Sequence, residues 1–116
     1  MSSANARADA LATVRAWIDA FASADMDAAR RLFADDGVTH TGSGDLVGFD
    51  GLLAWYMERR AREGAAFGYE VRDVVGAGSL VAVVLLLRNA SHRWTQIAVY
   101  RVEGKRIREV WLHEAE

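Results

Sequence analysis

Residues 17–42 read WIDAFASADMDAARRLFADDGVTHTG, and the order of elements in this stretch decides the fold. It holds the end of one helix, a second helix with its own cap, and a strand entered through Ala34-Asp35-Asp36-Gly37. Upstream, Leu11, Val14, Trp17, Ile18 and Phe21 recur at three and four residues, which places them on one apolar stripe of a helix from about Ala4 to Phe21. Ser2 or Ser3 can cap it. After the break at Ala22-Ser23-Ala24, the Asp25 carboxylate is placed to accept from the free amides of the second helix, whose Met26, Ala29, Leu32 and Phe33 form its buried side. Val38 to Thr41 is β-branched apart from His40, so the chain turns extended there.

Beyond it, Asp50 is expected to cap a third helix from about Gly51 to Glu63, with Leu52, Leu53, Tyr56 and Met57 inward and Gly64 at its end. Gly42-Ser43-Gly44 reads as a turn between strand and helix rather than a phosphate cradle. Four strands follow, at 67–75, 80–88, 93–102 and 106–113, and their short connections make them antiparallel neighbours. The second of these, LVAVVLLL at 80–87, is apolar on both faces, which predicts a strand covered on both sides. Together these elements make an α+β fold.

A chain of 116 residues, 52% hydrophobic and 26% charged, supports one core, so residues 1–116 are expected to form a single domain. No apolar run approaches the roughly 20 residues that cross a bilayer, and no signal-peptide pattern opens the chain, which predicts a cytoplasmic protein without a membrane partner. With no cysteine, thiolate catalysis and disulfides are excluded. The three histidines lack metal-site spacing, and no cofactor motif is present, so neither metal nor cofactor is expected. The net charge of −2 conceals an asymmetry: through Glu58 nine acids face four arginines, and the remainder carries +3. Arg59, Arg60 and Arg62 form the densest basic run. Without interleaved aromatics it reads as the solvated last turn of a helix, and no nucleic-acid partner is expected.

The order of helices and strands, with LFADDGVTH at 32–40 and WTQIAVYRVEGKRIREVW at 94–111, resembles the SnoaL-like group of the nuclear transport factor 2 superfold over nearly the whole chain. The resemblance implies an NTF2-like cone: three N-terminal helices packed on a curved, mainly antiparallel sheet around an apolar pocket. It also implies a homodimer through the sheets, burying Thr95, Ile97, Val99 and outward residues of the second long strand such as Val81 or Val83. By similarity to the ketosteroid isomerases of this superfold, their three catalytic groups correspond to Trp17, Thr41 and Ala98, none of which can repeat that chemistry. An acid found after the last-strand tryptophan in related cyclases is Leu112 here.

The same correspondence, with residues two apart sharing a face, implies a pocket lined by Trp94, Gln96, Ala98 and Tyr100 on one strand and by Glu109, Trp111 and His113 on the last. Trp17, Thr41, Trp55 and Tyr56 would complete an aromatic box. Its acid–base candidates are Glu109, His113 and His40, the last only if a bulge turns it inward. Each has a plainer role: core packing for the tryptophans, pairing with Arg101 or Arg108 for Glu109, and solvation for His113. His92 belongs to a surface hairpin. The expected function is therefore binding of a small apolar or aromatic molecule. It could accompany cofactor-independent isomerase, cyclase or hydrolase chemistry, non-enzymatic ligand carriage, or homodimerising association.

Overall fold

Asp25 ends one helical segment and begins the next. Its side chain accepts a hydrogen bond from the Ala28 amide at 3.1 Å, which separates α1 (Ser3–Ala22) from the short α2 (Met26–Arg31). The computed structural model describes residues 3–115, with side chains over 5–114. The expected cap at Ser2 or Ser3 lies outside the described side chains. The helix stripe is as read: Val14 and Trp17 are buried, and Leu11, Ile18 and Phe21 pack against the same cluster.

The chain becomes extended earlier than its β-branched residues imply. Strand β1 covers Phe33–Thr41, so Phe33 opens a strand and Ala34 to Gly37 lie within it. The pairing of β1 slips between Phe33 and Val38, and this irregularity folds Gly37 back over the Phe33 ring. A side chain at Gly37 would meet that ring at 2.5 Å, so only glycine fits this approach. A four-residue strand absent from the sequence reading, β2 (Gly44–Val47), then pairs with β1. Gly42 and Ser43 turn between two strands, not between strand and helix. Helix α3 (Gly48–Glu63) starts three residues before the expected Gly51, with Val47 ahead of it and no side-chain cap. Asp50 lies in its first turn and pairs with Arg30 at 2.7 Å.

Strands β3 (Gly68–Ala77), β4 (Leu80–Arg88), β5 (Arg93–Glu103) and β6 (Arg106–Ala115) follow the expected segments within two residues. The six strands form one sheet in the order β2-β1-β6-β5-β4-β3, antiparallel except for β1 against β6. This is the α+β, helices-on-sheet architecture expected. The core lies where α1 and α3 cover one sheet face: Val14, Trp17, Phe49 and Leu52 meet Val81, Val83, Ala98, Tyr100, Ile107 and Val110. Each large side chain buried this way contributes about 1.5–3 kcal/mol.

Val81 and Val83 are 0% and 1% exposed within this core, which corrects their expected outward placement. Because β4 is apolar on both faces, its composition carries no alternation to read. The outward residues are Ala82, Val84 and Leu86, paired with Val99, Ile97 and Thr95 of β5. Thr95, Ile97 and Val99 thus lie outward as expected. Among the described residues no helix is long and apolar enough to cross a membrane.

Candidate functional site

On α3, Leu52, Trp55, Tyr56 and Arg59 stand at i, i+3, i+4 and i+7, the spacing of one helix face. That face meets Trp17, Ile18 and Phe21 of α1 across the concave side of the sheet, and between them lies a cavity of about 120 Å³. Its floor is Gln96, Ala98 and Tyr100 of β5, flanked by Val110 and Leu112 of β6 and Leu85 and Leu87 of β4; Phe67 and Tyr69 close the side. The volume is below the few hundred cubic ångströms of drug-sized sites and near the about 150 Å³ apolar cavity that admits benzene. Trp17 both lines the cavity and packs the core: its ring lies 5.6 Å from Phe33 and 5.9 Å from Phe49.

Four polar side chains matter in this lining. Gln96 is 7% exposed, and among the described residues its amide has no hydrogen-bond partner. Unlike the fully buried Nε of Arg59, the amide keeps accessible surface on the cavity side, where it can address whatever enters. Burial pushes the Tyr100 hydroxyl up to about 12, opposed by a hydrogen bond with Trp17 and reinforced by Tyr69. Tyr69 is also raised, mainly by burial. At neutral pH both phenols are therefore donors and not bases. Arg59 is the fourth. Its side chain is 11% exposed, its guanidinium lies 5.8 Å from the Trp55 ring and 5.5 Å from Trp94, and it pairs with Glu114. The reading of Arg59 as part of a solvated basic run is thus corrected. The signal was its spacing, four residues after Trp55.

Of the expected pocket residues, Trp17, Trp55, Tyr56, Gln96 and Tyr100 come together. Trp94 stands outside the lining, at the rim beside Phe67 and Arg59. Thr41 lies at the end of β1, where its hydroxyl donates to the Gly44 carbonyl at 2.7 Å. Glu109, Trp111 and His113 do not face the cone. Tyr100 pairs with Val110 and Arg101 with Glu109, but Val102 pairs with Ile107, so Arg108 is one extra residue in β6. This bulge reverses the alternation: Ile107, Val110 and Leu112 turn inward, and Glu109, Trp111 and His113 turn outward.

His40 is on the outer face as well, since the irregularity in β1 precedes it and Thr39 is the buried neighbour. There it joins a network. Its Nδ1 is 2.8 Å from Asp45 Oδ1, its ring stacks 5.6 Å from Trp111, and Arg101 pairs with Glu109 while lying 5.6 Å over Trp111. The expected pairing of Glu109 with Arg101 is present. His113 and His92 are exposed. Among the described residues no carboxylate or imidazole lines the cavity, and no cluster of His, Asp or Glu is arranged to hold a metal ion.

Residues 14–110, from the core face of α1 to the inward Val110, match the SnoaL-like domain. This chain belongs to the SnoaL-like family. Its fold is shared with Bal32a from a soil-derived mobile gene cassette, at a TM-score of 0.83 and 20% identity over 95% of this chain and 92% of that one. A Kribbella flavida protein proposed to be a ketosteroid isomerase gives a TM-score of 0.83 at 16% identity over 95% and 80% of the two chains. A Sinorhizobium meliloti protein proposed to be a polyketide cyclase gives 0.75 at 20% identity over 97% and 100%. At these identities the likeness is one of the NTF2-like fold. No curated protein matches the sequence.

Proposed function

We propose that this SnoaL-like chain binds a small ring compound inside its cone and orients it through Gln96. The amide of Gln96, 7% exposed as a residue and set in a mostly apolar wall of the cavity, carries this reading. Tyr100 and Tyr69 add donors that keep their protons. Since Glu109, His40 and His113 lie across the sheet from the cavity, the reading favours a ligand carrier or sensor over acid–base turnover at these residues. The test is a titration of isotope-labelled protein with benzamide and with toluene. Shifts should centre on Trp17, Gln96 and Tyr100, and Gln96→Leu should weaken benzamide about three- to tenfold, the value of one hydrogen bond, while sparing toluene. Absence of binding by both probes sinks the reading.

A second copy of the chain is proposed to cover the outer sheet face. Ala82, Val84, Leu86, Ile97 and Val99 are only half-buried there, and Trp111 is 36% exposed. A neutral strip rimmed by Arg101 and Glu109 is self-complementary, as a two-fold interface requires.

A further inference from the structure

Among the described residues Arg59 is the one cation in the cavity lining, and its environment is unusual for an arginine near the end of a helix. The guanidinium sits among the Trp55 and Trp94 rings, almost fully removed from water. Its Nη1 donates to Glu114 Oε1, while Nε is buried and has no partner among the described residues. A buried guanidinium with an idle N–H is costly, and the planar fork of arginine is built to take both oxygens of one carboxylate. Glu114 is the cross-strand partner of Gln96 and therefore sits on the cone side of β6. Its side chain is 36% exposed, so it can return to water at small cost. Glu114 thus occupies, from within the chain, the place where an external carboxylate would meet Arg59, beside the free amide of Gln96.

We propose that the ligand is an anionic ring compound, an aromatic or alicyclic carboxylate, whose ring enters the cone while its carboxylate replaces Glu114 on Arg59. This rests on the cavity-binding reading above and adds the ligand's charge and its anchor. The two aromatic faces hold the guanidinium plane in place, which limits the ordering cost when the carboxylate arrives. Glu114 competes for the same donors, so the pair sets a threshold that neutral ring compounds do not face.

The experiment is calorimetric titration of the whole chain with benzoate and its neutral counterpart benzamide, at fixed low ionic strength. Benzoate is expected to bind at least tenfold more tightly than benzamide. Arg59→Met, an apolar side chain of similar length, should erase that preference, so that benzoate binds this variant no more tightly than benzamide does. Glu114→Gln should strengthen benzoate severalfold without changing benzamide, and it tests the proposal even if Arg59→Met folds poorly. Equal binding of the two probes, or a benzoate preference that survives Arg59→Met, overturns the proposal while leaving the cavity reading standing. If neither binds, this proposal is overturned, and the cavity reading falls with it when toluene fails to bind as well.

Discussion

Nε2 of His40 lies 2.5 Å from Oε2 of Glu109, two residues 69 apart in sequence that meet on the outer face of the sheet. The other Glu109 oxygen pairs with Arg101, so both carboxylate oxygens are engaged, and the side chain is 18% exposed. Glu109→Gln should therefore cost about 1–2 kcal/mol of stability, read as a lower urea midpoint at constant slope. Benzamide affinity should not change, because the cavity is on the opposite face. Loss of binding in a folded Glu109→Gln protein would put the carboxylate back in the site and undo the assignment of faces.

Why that assignment escaped sequence reading is visible in β6. The segment Arg106-Ile107-Arg108-Glu109-Val110 carries no glycine or other mark of a bulge, yet one extra residue at Arg108 reverses every later side chain. In β5 the alternation is regular, and Gln96, Ala98 and Tyr100 face the cone as read. The Asp25 cap, the three helices and the four long C-terminal strands were all legible, because caps, turns and helical spacing are local. Strand β2 was not, since Gly44–Val47 is four residues long and lacks a pattern of its own. Arg59 was hidden by its neighbours Arg60 and Arg62, whose charges suggested a solvated turn. Its position relative to Trp55 held the better clue.

The buried phenol of Tyr100 gives the protein an alkaline limit. Its folded value is raised to about 12, above the ordinary tyrosine value of about 10. Below pH 10 both states keep the proton and the contribution is complete. Between pH 10 and 12 the unfolded chain has lost a proton that the native state still holds, so stability falls as pH rises, by about 1.4 kcal/mol per pH unit. Urea unfolding at half-unit intervals from pH 9 to 12 should show this slope in the wild type. Tyr100→Phe should flatten it, leaving the smaller contribution from Tyr69, which is raised in the same direction. An unchanged slope in Tyr100→Phe would mean that the hydroxyl reaches water.

The outer face makes its own prediction. Val84 and Ile97 are direct cross-strand partners near its centre, and both are half-buried, with no element among the described residues to cover them. Residues two apart on β4 and β5 continue the strip through Ala82, Leu86, Thr95 and Val99, and the charged network of Asp45, His40, Glu109 and Arg101 borders it on the β1–β6 side. Two copies related by a two-fold axis would bury this strip against itself. Light scattering at micromolar concentration should then give twice the mass of one chain. Val84→Arg places two charges in the desolvated centre of the pair and should yield monomer. Because Val84 points away from Val83 and the cone, the monomeric variant should still bind benzamide with wild-type affinity. A monomeric wild type rules out the pairing. A Val84→Arg dimer moves the interface off this strip, and loss of benzamide binding in the monomer would tie the cavity to the assembly.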